Sequence, residues 1–197
     1  VKILFLGPPQ SLVFDYLIYK ENTIDTKEPI TISWVKDMKI DFIVSHGYRH
    51  KIGADIITYM SRRIINLHIS YLPWNRGADP NLWSFIDDTP KGCTIHYVDA
   101  GIDTGDIICQ KKVVFDPKDK HDLSSSYEHL NRVLLELLKD NWNMIINGNV
   151  NGIKQTGSGS YHKSSDKEPI MPLLSSRWET PIEEVERIGI SIKRGNS

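Results

Sequence analysis

The sequence predicts an α/β fold: a Rossmann-like, mostly parallel sheet flanked by helices, with a small C-terminal extension. Three observations carry this expectation. Short β-rich runs alternate with helical patterns over the first two thirds of the chain, the order that builds a mostly parallel sheet covered by helices. One long stretch, 126–147, repeats apolar residues every three or four positions, as an amphipathic helix does. The residues after it are polar and rich in Gly and Ser, so 1–148 is expected as the main domain and 149–197 as an extension of loop or loose hairpin and short helix.

Val1 to Leu6 reads as the first strand, turned by Gly7-Pro8-Pro9, and Leu12, Val13, Tyr16 and Leu17 mark a helix before the charged stretch Lys20 to Glu28. Asp41 to Ser45 and Ile64 to Ile69 are strand-like, and Ile56, Ile57, Tyr59 and Met60 between them suggest a short helix. Ser70 to Asn81, with Pro73, Gly77 and Pro80, reads as an irregular loop, followed by a short helix at Leu82 to Ile86. Gly92 to Val98 and Asp106 to Gln110 alternate like strands around the turn Asp99 to Gly105. Ser125 and Glu128 are read as a capping box for the long helix, and Gly148 as its left-handed terminus. A last short helix is expected with Thr180 as N-cap, Pro181 in the first position and Glu183 and Glu184 in the first turn.

Composition excludes several classes. The chain has 197 residues, 24 Lys and Arg against 25 Asp and Glu, and a net charge of −1. It offers no uniform positive field to a polyanion, so nucleic acid is not expected as a partner. Its two cysteines, Cys93 and Cys109, fit neither a disulfide framework nor a zinc site, and a reducing, cytoplasmic compartment is expected. Val1 to Leu6 lacks the basic lead and cleavage site of a secretory signal. Charged or amide residues interrupt every apolar run before the roughly 18 residues that cross a bilayer, so membrane insertion is not expected. His46 and His50 have metal-ligand spacing without a third ligand, and no metal site is assigned.

The informative residues are Asn66 and His68, which share one strand face because side chains alternate, while Leu67 points to the opposite layer. They stand at the end of a strand, where open α/β sheets bind ligands. Asp103, in the turn Gly101-Ile-Asp-Thr-Gly-Asp106, adds a carboxylate, and the two glycines permit close approach of backbone and ligand. Amide, imidazole and carboxylate suit acyl transfer to an amine. Asn66 can donate to a developing oxyanion, His68 can take the proton of the amine, and Asp103 can orient His68 or relay a proton through water. Trp74, in the neighbouring loop, is a candidate for stacking on a ligand.

The strings Asn66-x-His68-x-Ser70-x-Leu72-Pro73, Arg76-Gly-Ala78 and Gly101-x-Asp103-Thr-Gly-Asp106 resemble the 10-formyltetrahydrofolate-dependent formyltransferase family across most of 41–115. That family includes methionyl-tRNA formyltransferase, glycinamide ribonucleotide formyltransferase, formyltetrahydrofolate hydrolase and enzymes acting on nucleotide-linked amino sugars. The resemblance implies a catalytic domain at 1–148, with Asn66, His68 and Asp103 as catalytic trio. It implies 10-formyltetrahydrofolate as formyl donor, no metal, and folate contacts from His46, Gly47, Tyr48 and Arg49 and from Gly101, Gly105 and Asp106.

Within the family, Gly7-Pro-Pro-Gln-Ser11 lacks backbone donors for a phosphate cradle, and only a short mixed-charge tail stands where the tRNA enzyme has a basic domain. The segment 68–84 is most similar to N-formyltransferases of nucleotide-linked amino sugars (dTDP-, UDP- or GDP-) in bacterial surface-glycan pathways, such as lipopolysaccharide O-antigen or capsule. That similarity implies substrate contacts from Trp74, Arg76 and Asp79. Lys20, Lys27, Arg49 and Lys51 could supply charge for a diphosphate, without a motif. The segment before Asp41 is short for the family, which places another strand and helix there, so the N-terminal half is read as reduced or as lacking residues before Val1. The alternative activities are hydrolysis of the folate donor, or formylation of another amine (tRNA or ribonucleotide), by the same trio. Apolar Ile170, Met171, Leu173 and Leu174 in a polar tail suggest a homodimer made through it.

Overall fold

In the computed structural model, which describes Val1–Gly195, the opening apolar run becomes β1 (Lys2–Leu6) and the Leu12 pattern becomes α1 (Leu12–Lys20), capped by the Ser11 hydroxyl on Phe14 N. The strand and helix that seemed missing before Asp41 are present, as β2 (Asn22–Thr26) and α2 (Ile32–Asp37). They escaped the sequence pattern for physical reasons. β2 is an edge strand with no fully buried residue, and α2 buries only Val35, so neither needs the apolar period that marks a half-buried element. β3 (Phe42–Ser45), α3 (Ala54–Met60) and β4 (Ile64–His68) follow. β2, β1, β3 and β4 are parallel neighbours in that order.

The expected loop 70–81 contains a two-residue strand, β5 (Arg76–Gly77), and leads into α4 (Pro80–Ile86). β6 (Lys91–Tyr97) lies beside β4 and forms a hairpin with β7 (Ile107–Val113), completing a six-stranded sheet of order β2-β1-β3-β4-β6-β7. The long helix is α5 (Leu123–Ile146). It begins three residues earlier than expected, and its capping box is Asp122 with Ser125, not Ser125 with Glu128. Asp122 Oδ1 accepts from Ser125 N at 2.6 Å, and Ser125 Oγ accepts from Asp122 N at 2.9 Å. Gly148 takes the left-handed conformation at φ +69° as expected, closing the helix through Gly148 N to Ile145 O.

Hydrogen bonding from the Ser125 amide holds the Asp122 carboxyl below the usual carboxylate range. The stabilisation is therefore complete at neutral pH and is lost as pH falls through that lowered value. Asp122→Ala is expected to cost about 1 kcal/mol at pH 7 and to lose that difference in acid, as measured by denaturant unfolding at two pH values.

Residues 149–168 form no hairpin of their own. Ile153 pairs with Ile107, and β8 (Tyr161–His162) pairs in parallel with β5; such short pairings carry no legible period. The terminal helix α6 (Ile182–Gly195) is longer than expected. Thr180 is not its cap: the Thr180 hydroxyl accepts from Ser176 N, and Pro181 O takes the first helical amides. Gly189 sits so close to the Ile86 carbonyl that a Cβ would overlap it, which explains a glycine inside a helix at a cost of about 1 kcal/mol relative to alanine.

The chain folds into two compact units. Val1–His68, Ile95–Cys109 and Leu135–Gln155 make the first, centred on Leu4, Ile43, Ile56, Met60 and Ile64. Ile69–Thr94, Gln110–Leu134 and the residues from Thr156 onward make the second, centred on Phe85, Leu123, Ile182 and Val185. Residues 149–155 thus belong to the first unit and the rest of the tail to the second. Ile170 and Leu174, which suggested an exposed dimer patch, are each 6% exposed and form part of the second unit's own core. No described helix is long and apolar enough to cross a membrane.

Candidate active site

The first unit brings Asn66, His68 and Asp103 together. Asn66 and His68 lie two apart on β4 and share a face, while Leu67 between them is buried in the opposite layer. Asp103 comes from the turn between β6 and β7, at φ +53°. Asn66 Nδ2 lies 3.0 Å from Asp103 Oδ1. Asp103 Oδ2 lies 3.7 Å from His68 Nδ1, beyond hydrogen-bond length yet near enough for charge to act. The His68 and Asp103 side chains keep only 8% and 12% exposure, so charge between them is weakly screened while small molecules can still reach it.

A fourth residue completes the cluster, and the sequence reading missed it. It is His96, on β6. Its Nε2 lies 3.2 Å from Asn66 Nδ2 and 3.4 Å from Asp103 Oδ1. Its Nδ1 is 2.8 Å from the Tyr97 carbonyl oxygen; a carbonyl only accepts, so the proton sits on Nδ1 and the neutral ring offers Nε2 as an acceptor. Asn66 therefore gives one amide hydrogen to Asp103 and the other to His96, which fixes the amide plane. The one trace in the sequence is the two-residue spacing of Thr94 and His96 in a strand-like run, which puts both on one face.

The turn itself is built by Asp99, whose Oδ1 accepts from Gly101 N at 3.0 Å and Thr104 Oγ1 at 2.7 Å. That leaves the Asp103 carboxylate to face Asn66, His68 and His96. Gly105 is required by packing: a Cβ there would overlap the Tyr97 carbonyl oxygen, and one at Gly101 would overlap Thr104. Asp106 O accepts from Tyr97 N at 2.9 Å. The glycines thus have a structural reason independent of any ligand.

His46, Gly47, Tyr48 and Arg49 follow β3 in the same unit. His46 is buried and its Nδ1 donates to Leu67 O at 3.2 Å, so this loop is fastened to the strand that carries Asn66 and His68. The Tyr48 hydroxyl donates to Glu28 O at 2.8 Å, and Gly47 and Arg49 are exposed. Trp74, Arg76 and Asp79 belong to the second unit. Trp74 is half-buried, Arg76 opens β5, and Asp79 is paired with Lys167, whose Nζ lies 3.0 and 2.9 Å from its two carboxylate oxygens. The Asp79 charge is therefore already compensated within its own unit.

Burial pushes the Cys93 and Cys109 thiols up to about 12, so neither is a thiolate nucleophile near neutral pH. Among the described residues no group of three or more His, Cys, Asp or Glu is placed to hold a metal ion. The cluster of amide, two imidazoles and one carboxylate can donate to a developing negative charge and accept a proton at one point.

Comparison with known proteins agrees with that chemistry. A family model described as formyl transferase matches residues 8–136. The formyltransferase PseJ of Anoxybacillus kamchatkensis, solved in complex with UDP-4,6-dideoxy-4-formamido-L-AltNAc and tetrahydrofolate, is 42% identical over 95% of this chain and 100% of that chain, with a TM-score of 0.88. A likely sugar N-formyltransferase of Mycobacterium tuberculosis shares the fold, with a TM-score of 0.75 at 22% identity over 86% of this chain and 77% of its own. Methionyl-tRNA formyltransferase of Clostridium novyi (strain NT) is 33% identical over 73% of this chain and 48% of its own, so the chain spans about half the length of that curated relative.

Proposed function

The chain belongs to the formyltransferase family, and from that premise we propose that it moves a formyl group from 10-formyltetrahydrofolate to the amine of a nucleotide-linked amino sugar. The carrying observation is the meeting of Asn66, His68 and Asp103 around one point. The substrate class is supported by the 42% identity to PseJ over its whole length.

The residues present suit a folate-borne formyl group. When bound, 10-formyltetrahydrofolate supplies an electrophilic one-carbon unit whose oxygen gains negative charge as the amine adds. Asn66 Nδ2 would donate to that oxygen the hydrogen it gives to Asp103 in the ligand-free arrangement. One such donor is worth about 3 kcal/mol in the transition state. His68, whose Nδ1 lies 3.7 Å from Asp103 Oδ2, would take the proton of the attacking amine on its imidazole. Asp103 would favour the cation that His68 then becomes, and that cation would return the proton to the folate nitrogen as its bond to the formyl carbon breaks; His96 holds the Asn66 amide plane. The loop 46–49 and the turn 99–106 are the segments assigned to folate, and Trp74, Arg76 and Asp79 those assigned to the sugar nucleotide.

The same reading places the enzyme in bacterial surface-glycan biosynthesis, in the cytoplasm. Its test is incubation of the purified protein with 10-formyltetrahydrofolate and a set of UDP- and dTDP-linked amino sugars, read by mass spectrometry. The expected result is a gain of one carbonyl unit on a UDP-linked 4-amino sugar, with little formate released when the amine is omitted. Rapid formate release without amine would instead identify a hydrolase. Failure to formylate any sugar nucleotide would remove the substrate class.

A further inference from the structure

We propose that Gln155 is a positioning residue for Asp103, acting through the backbone of the turn that carries it. The inference rests on the assignment of Asp103 to formyl transfer. Asp103 occupies the left-handed region at φ +53°, a conformation unfavourable for an L residue. The bonds from Asp99 hold Gly101 and Thr104. Gln155 ties the peptide groups on either side of Thr104. Its Nε2 donates to the carbonyl oxygens of Asp103, at 2.8 Å, and Gly105, at 2.9 Å, so both amide hydrogens are used. Holding these two carbonyls together fixes the direction in which the Asp103 side chain leaves the backbone.

Gln155 is itself held. Ile153 and Ile107 exchange both backbone bonds at 2.8 Å. Val150 O accepts from the Tyr97 hydroxyl at 3.0 Å and from Arg62 Nη2 at 3.3 Å, and the Arg62 guanidinium lies 4.4 Å above the Tyr97 ring. Gly152 passes so near Asp106 that an added Cβ would stand 2.6 Å from Asp106 Cβ. Residues 150–155 thus form a strap, fastened on both sides of the turn, whose last residue grips its centre.

The experiment compares Gln155→Leu, which keeps volume and loses both donors, with Gln155→Asn, which keeps the amide on a shorter arm, and with Lys154→Ala, an exposed neighbour. Expected for Gln155→Leu is a fall in kcat of about 10- to 100-fold, as a small misplacement of a reacting group produces, with KM for both substrates within about twofold. Gln155→Asn should lie between it and the wild type, and Lys154→Ala should match the wild type. Amide hydrogen exchange at 102–106 should accelerate in Gln155→Leu while β4 stays protected. Wild-type kcat in Gln155→Leu, or unchanged exchange in the turn, would overturn the proposal. The exchange comparison needs no substrate, so a wild-type enzyme that formylates nothing strikes the functional reading and leaves this test standing. Should Gln155→Leu fail to fold, Gln155→Asn decides: kcat and exchange both equal to wild type overturn the proposal, and a partial fall with faster exchange supports it.

Discussion

His68→Gln is expected to lower kcat by about a thousandfold, the middle of the range for removing a positioned general base. Glutamine is close to histidine in size and can still form hydrogen bonds beside Asp103, yet it cannot hold a proton. The site is buried but small in area, with His68 7% exposed at the last position of β4, so the fold should tolerate the change and the melting temperature should move by only about 2–4 °C. KM should change little, because the lost interaction is made as the proton moves and not when the substrates bind. Steady-state rates of sugar formylation, together with a melting curve, check both parts. A variant that keeps more than a tenth of wild-type kcat would place the base elsewhere in the cluster, and His96 is the remaining imidazole within reach of Asn66 and Asp103.

What the sequence made legible follows from which elements carry a period. Asn66 and His68 stood out because two polar residues interrupt an apolar strand at the two-residue spacing that puts them on one face. Asp103 was legible through its Gly-bounded turn. His96 was not, because a histidine in a buried strand reads like any hydrogen-bonded core residue, and its significance depends on β6 lying next to β4, a long-range fact. Gln155 was hidden for a related reason: it sits in a polar segment with no pattern, and only the folded chain brings it to the Asp103 and Gly105 carbonyls. Among the elements, α5 was plain because of its apolar stripe, yet its start was misplaced since two adjacent polar groups, Asp122 and Ser125, perform the capping one turn earlier. β2 and α2 were missed because an edge strand and a six-residue helix bury too little to need a pattern.

Asp103→Asn should lower kcat by at least about a hundredfold, and its coupling to His68 tells how the carboxylate acts. Asparagine keeps an oxygen that can accept from Asn66 Nδ2, now 3.0 Å from Asp103 Oδ1, so the oxyanion donor remains in place. What is lost is the negative charge 3.7 Å from His68 Nδ1, which favours the imidazolium formed when the amine gives up its proton. An effect that passes through His68 has a distinct signature in combination. If Asp103 works by supporting His68, the double variant His68→Gln, Asp103→Asn should be no slower than His68→Gln alone, because the second change removes help from a base that is already gone. If Asp103 also moves a proton to the leaving nitrogen by its own route, the losses should multiply. The ligand-free geometry favours the first outcome, since both carboxylate oxygens are turned toward side chains of the cluster: Oδ1 to Asn66 and His96, and Oδ2 to His68. Near-additive losses across the four proteins, measured by initial rates at saturating substrates, would assign the carboxylate a proton-carrying role of its own and revise the arrangement drawn around His68.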